Sequence, residues 1–170
     1  IPSGYSALDA VTAGLNRSDL ILLAARPAMG KSAFALNIAT NVAARGKKPV
    51  AIFSLEMSRE QLVQRVLSSE ASIQSQLLRT GELSAQDWER LALSAQMLAS
   101  SPIFIDDTPG ITVAEMKAKL RRIRDLGLVI IDYLQLMSAG RRIENRVQEV
   151  SELTRSLKIM AKELNVPILT

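Results

Sequence analysis

Five short apolar runs, at residues 20–24, 50–55, 103–105, 128–132 and 166–169, are separated by longer segments whose apolar residues recur every three or four positions. The runs have the length of buried strands, and the spacers read as helices. Consecutive strands so far apart cannot form tight hairpins, so each spacer must carry the chain back across a face of the sheet. The expected fold is therefore α/β, a mostly parallel sheet with helices on both faces. No internal repeat or low-complexity tract interrupts the pattern.

The helical segments have readable starts and stops. From Lys31, apolar residues recur at Phe34, Ile38 and Val42, and Gly46 closes that helix. Ser58 with Gln61, and Thr112 with Glu115, have the spacing of capping boxes. The first opens a helix with Leu62, Val63, Val66 and Leu67 on one face. The second opens one that buries Val113, Met116, Leu120 and Ile123 and is expected to end at Gly127. Residues 68–101 read as helical, with Ser84 as a cap and Trp88, Leu91, Ala92, Ala95 and Leu98 as a stripe against the sheet. Val147, Val150, Leu153, Leu157, Met160 and Leu164 mark a long amphipathic helix.

Composition removes whole classes of chemistry. The 170 residues include no cysteine and no histidine, which excludes disulfides, Ser-His-Asp hydrolysis, Cys-His chemistry and nearly every zinc enzyme. Carboxylates, lysine, arginine and hydroxyls remain, and phosphoryl transfer needs little else, because its catalysis is mostly positioning and charge neutralisation. With 48% hydrophobic residues, disorder is not expected. No apolar run reaches the roughly 18 residues of a membrane span, and no signal peptide opens the chain, so the expected location is the cytoplasm, without membrane association. A net charge of +4 permits a polyanionic partner without requiring one.

Residues 24–34 read AARPAMGKSAF. A phosphate-binding P-loop has the form G-x-x-x-x-G-K-[ST], and Ala25 occupies the place of its first glycine. A Gly-Lys-[Ser/Thr] triplet arises by chance about 0.1 times in a chain of this length, so context must decide. Here the triplet follows a strand and opens a helix, where unpaired N–H groups and a partial positive charge favour an anion. The candidate nucleotide-binding residues are Arg26, Pro27, Ala28, Met29, Gly30, Lys31, Ser32 and Ala33. Lys31 would reach the β and γ phosphates and Ser32 a magnesium ion. Ala25 fits if its φ stays negative, Pro27 should make no phosphate contact, and the amides from Met29 to Ser32 should point at one anion.

Asp132 ends the fourth strand, where a Walker B aspartate would hold magnesium or its water. Tyr133 follows it, so the carboxylate that orients and deprotonates an attacking water must come from elsewhere. Glu56 directly ends the second strand and is the first candidate. Asp106 and Asp107, ending the third, compete with it.

The string TAGLNRSDLILLAARPAMGKSAFALNIATNVA, with FSLEMS, FIDDTPG, LVIIDYLQLM and RVQEVSELTRSLKIMAKELNVPI, closely resembles the RecA-like motor domain of the replicative DnaB-family helicases. In that family the P-loop begins with Ala-Arg-Pro, so Ala25 matches. The resemblance implies a RecA-like P-loop NTPase fold with ATP and Mg2+. It gives Lys31 and Glu56 the catalytic roles, assigns Ser32 and Asp132 to the metal, and makes Asp132 the Walker B residue. It further implies a homo-hexameric ring that hydrolyses ATP at subunit interfaces, travels on single-stranded DNA and unwinds duplex at the replication fork, with primase and a helicase loader as partners. The fifth strand should lie between the P-loop and Walker B strands, with the Glu56 strand on the far side of Walker B.

For DNA, the candidate is the loop SAGRRIENR with Arg141, Arg142 and Arg146, where mobile cations could follow a phosphate backbone; it also reads as an ordinary solvated loop. Lys117, Lys119, Arg121, Arg122 and Arg124 read as the solvated face of their helix. Neither run contains an aromatic residue, so base stacking is not expected.

Both ends look cut, so residues 1–170 are expected to be an incomplete motor domain, truncated on its C-terminal side. An arginine finger, worth about 10³ to 10⁵ in rate, a polar sensor and an amino-terminal domain with its linker helix would lie outside it. The isolated fragment is expected to bind Mg-ATP or ADP and to hydrolyse ATP poorly. Two rivals remain, a RecA-like recombinase or related ring ATPase, and a nucleotide-gated loader or regulatory module. ARPAMGKS and DYLQLM argue against the first, and Glu56 against the second.

Overall fold

A computed structural model of the chain describes residues 1–26, 28–132 and 146–170. Five strands, β1 (Leu20–Ile21), β2 (Val50–Ser54), β3 (Ile103–Asp106), β4 (Leu128–Asp132) and β5 (Ile168–Leu169), form one sheet in the order β1-β5-β4-β2-β3. Every pairing is parallel. The order is the expected one, with β5 between the P-loop and Walker B strands and β2 beyond β4. β1 and β5 are shorter than their apolar runs, but Thr170 N donates to Ile21 O at 3.0 Å and Leu23 N to Thr170 O at 2.8 Å, so the ladder continues toward the P-loop.

β2 and β4 are buried at every position, as unbroken apolar runs require when both faces are covered. Alternate residues feed two cores. Ala51, Phe53, Val129 and Ile131 pack against Met116, Leu120, Leu153 and Leu157, from α6 (Val113–Leu120) and α7 (Arg146–Leu164). Val50, Ile52, Leu128 and Ile130 pack on the other face against Leu36, Ile38, Leu62 and Val66, from α2 (Lys31–Thr40) and α3 (Arg59–Ala71). α2 runs on as a π-helical turn, Asn41–Arg45. Both expected capping boxes form, and Ser84 with Asp87 adds a third at the start of α5 (Ala85–Ala99). Among the described residues no helix is long and apolar enough to cross a membrane.

Three expectations need correction. Residues 68–101 are not one helical stretch: Ser72 (φ 53°) and Gly81 (φ 76°) turn left-handed and isolate α4 (Ser75–Thr80). α5 packs chiefly on α3, with Leu98 against the core that also holds β2 and β4, so its inner stripe is narrow; Ser94 is buried, Leu91 and Leu98 are half-buried, Ala92 and Ala95 are exposed, and Trp88 is 55% exposed. α6 ends at Leu120, and Asp125 takes the left-handed conformation (φ 54°). Gly127 is needed for space, since a Cβ there would lie 2.6 Å from Lys48 Cβ. A short helix, α1 (Ser6–Thr12), was not foreseen; it buries nothing and sits beside a strap in which Asn41 Nδ2 donates to Ser3 O at 3.1 Å.

Candidate nucleotide site

The carboxyl ends of β1, β4 and β2 meet the start of α2, where ligands bind in open parallel sheets. Lys31, the first residue of α2, sets its Nζ 3.0 Å from Asp132 Oδ1. The Asp132 side chain is 9% exposed and that of Lys31 26%, so the pair is largely out of water. Leu55 N donates to Asp132 O at 2.8 Å, which draws β2 alongside and brings the chain past Asp132 to Glu56.

Lys31 and Glu56 border a cleft of about 780 Å³, whose lining also includes Arg26, Ala28, Gly30 and Ser32. Gly30 caps α2 with φ 85°, a conformation costly for any residue with a Cβ. Ala25 is not among the residues with positive φ; the left-handed alanine of the loop is Ala28, at φ 64°. Met29 departs from expectation, because its amide donates to Arg26 O at 3.2 Å instead of facing the cleft. Ala33 lines a neighbouring cleft between α2 and α3. Pro27, Arg141 and Arg142 lie outside the described residues, as does the side chain of Arg146.

The three candidate bases separate cleanly. Glu56 is exposed in the cleft, and among the described residues nothing holds its carboxylate. Asp106 accepts from Lys119 Nζ at 2.5 Å and from Thr108 N at 3.0 Å. Partial burial pushes its pKa upward, but the hydrogen bonds from Lys119 and Thr108 outweigh it and hold the carboxyl below its ordinary value. Asp107 Oδ2 accepts from Arg59 N at 2.9 Å, where it caps α3, and its other oxygen faces the Arg59 guanidinium at 3.6 Å.

Two cleft residues escaped the sequence reading. Arg65, on α3, lines the cleft beside Glu56, and among the described residues no acid pairs with it. Its only signal was its place on the helix that Glu56 leads into, seven residues past the Ser58 cap. Thr170 lines the same cleft, and its buried Oγ1 has no hydrogen-bond partner among the described residues.

Magnesium suits this donor set. The Ser32 hydroxyl and the Asp132 carboxylate are hard oxygen ligands, and no group of three or more acidic or other metal-binding side chains gathers among the described residues.

The family described as DnaB-like helicase C terminal domain matches residues 1–170. The chain belongs to that family. It is 58% identical to the replicative DNA helicase DnaB of Nostoc sp., over 99% of this chain and 20% of that protein. It is 54% identical to the replicative DNA helicase DnaC of Bacillus subtilis, over 99% of this chain and 38% of that one. The chain thus spans between a fifth and two fifths of these relatives. A solved structure of a DnaB-like replicative helicase, described with its interactions with primase, superposes with a TM-score of 0.92 at 34% identity, over 99% of this chain and 42% of that one. The RadB recombinase shares the fold, with a TM-score of 0.57 at 18% identity, over 99% of this chain and 67% of that chain. The expected RecA-like architecture is therefore the observed one.

Proposed function

We propose that this chain is the ATP-hydrolysing motor of a replicative DNA helicase and forms part of a longer polypeptide, as in the relatives it matches. The ion pair between Lys31 and Asp132, beside the Gly30 turn and with Lys31 lining the same cleft as Glu56, carries the reading. ATP would lay its phosphates against the start of α2, with Lys31 and Arg65 as cations and Ser32 and Asp132 holding Mg2+. When bound, the ion neutralises phosphate charge and fixes the phosphate chain in place. Glu56 would orient the attacking water and take its proton. Asp132 keeps the Lys31 ammonium at the cleft before nucleotide arrives, so a cation stands ready for the γ-phosphate.

The family supports a homo-hexameric ring in the cytoplasm that moves on single-stranded DNA, with Arg141, Arg142 and Arg146 as candidate backbone contacts. Primase and a loader are the proposed partners. A strand-displacement assay on the full-length protein tests this function. ATP-dependent unwinding that disappears in Lys31→Ala is expected; strand exchange without unwinding would favour the recombinase reading.

A further inference from the structure

Among the described residues β3 is the outermost strand, paired with β2 alone. Val50 N donates to Pro102 O at 2.9 Å, so residues 102, 104 and 106 direct their backbone groups toward β2. In a parallel ladder the intervening residues face the other way. The carbonyl of Ile103 and both the N–H and carbonyl of Ile105 therefore point away from the sheet.

Alongside this edge, on the α6 face, lies a groove of about 450 Å³ that shares no lining residue with the nucleotide cleft. Phe104 is 49% exposed there, and Leu120 and Ile123 continue its apolar wall. At the rim, Lys119 is paired with Asp106, whereas Arg122 and Arg124 have no acidic partner among the described residues. The rim thus carries two uncompensated positive charges. Pro102 and Asp106 flank this edge, but the stretch Ile103-Phe104-Ile105 between them carries none of the prolines or charges that usually blunt one.

We propose that this edge takes an extended acidic and apolar segment of another protein, which adds a strand to β3, seats apolar side chains on Phe104 and directs carboxylates to Arg122 and Arg124. Strand addition uses the outward backbone groups for affinity and the groove for selection of alternate side chains. A nucleic acid would satisfy the arginines but has no peptide N–H and C=O groups to continue the ladder, and it leaves the apolar wall unused.

The test uses full-length protein and three fluorescent probes: a short peptide of alternating valine and glutamate, the same peptide with lysine for glutamate, and a single-stranded oligonucleotide. The glutamate peptide should bind, and the lysine peptide should bind at least about tenfold more weakly, since like charges then meet at the rim. Arg122→Glu with Arg124→Glu should invert that preference, a result that misfolding cannot produce, and should leave basal ATP hydrolysis unchanged. Amide exchange at Ile105 should slow when the glutamate peptide is bound. Absence of peptide binding, equal binding of both peptides, a preference unmoved by the charge reversal, or an effect confined to the oligonucleotide would overturn the proposal.

Discussion

At the β4 and β2 ends, Asp132 faces the Lys31 ammonium and Glu56 stands open in the cleft, whereas at the neighbouring β3 end both acids are engaged by the scaffold. Asp106 holds Lys119 and the Thr108 amide, and Asp107 caps α3 through Arg59 N. All four follow an apolar strand, a placement that by itself does not tell them apart. Partners make the difference: Asp106 and Asp107 commit their carboxylate oxygens to the scaffold, whereas Glu56 keeps its carboxylate open to the cleft. The contrast assigns chemistry to one pair and architecture to the other.

The largest effect should come from Glu56→Gln in the full-length protein, with ATP hydrolysis falling about 10²- to 10⁴-fold while a non-hydrolysable Mg-ATP analogue still binds. If hydrolysis survived, the base would move to Asp106 or Asp107 and the contrast would break. Lys31→Ala should lower hydrolysis about 10²- to 10³-fold by removing a cation from the developing charge, and it should weaken analogue binding as well. The same change leaves the nearly buried Asp132 without its cation. A fully buried pair would cost about 3 to 5 kcal/mol to break, and solvent at Lys31 reduces this to roughly 1 to 2 kcal/mol, read as a lower melting temperature. Adding Asp132→Asn should restore part of that loss, which sharpens the claim that the two act as a pair.

Asp107→Ala removes a helix cap and should cost about 1 kcal/mol, or about 2 to 4 °C in melting temperature, with hydrolysis unchanged. Asp106→Asn should have the smallest effect, a slight loss of stability at neutral pH that vanishes in acid. Because the folded carboxyl lies below its ordinary value of 3.8, its contribution is complete above that pH and is lost as pH falls through the lower folded value. An acid-unfolding titration should therefore show wild type losing stability below about pH 4 more steeply than Asp106→Asn.

Much of this was legible in the residues because local rules and tertiary packing agree. The apolar runs of β2 and β4 are buried on both faces, so their composition reports their position directly. The capping boxes at Ser58 and Thr112 satisfy their own helix amides, so their spacing alone predicts them. What stayed hidden depends on distant partners. Trp88 looked like core because it is apolar at helical spacing, but α5 packs chiefly on α3 and leaves Trp88 exposed. Arg65 carried no signal of its own in the sequence, and the folded structure shows it lining the cleft beside Glu56. Gly127 looked like a helix stop, yet it answers to the approach of Lys48 from 79 positions earlier in the chain. Glu56 ranked ahead of Asp106 and Asp107 in the sequence, but the reason for the order appears only in the folded sheet, where Lys119 and Arg59 reach the two aspartates.

A structure of the full-length protein with Mg2+ and a non-hydrolysable ATP analogue tests the central claim most directly. The phosphates should lie at the start of α2, with Lys31 turned from Asp132 to the γ-phosphate, the ion held by Ser32 and Asp132, and Glu56 facing the γ-phosphorus across a water. An analogue seated outside this cleft, or one approached by Asp106 or Asp107 with Glu56 turned away, would contradict it.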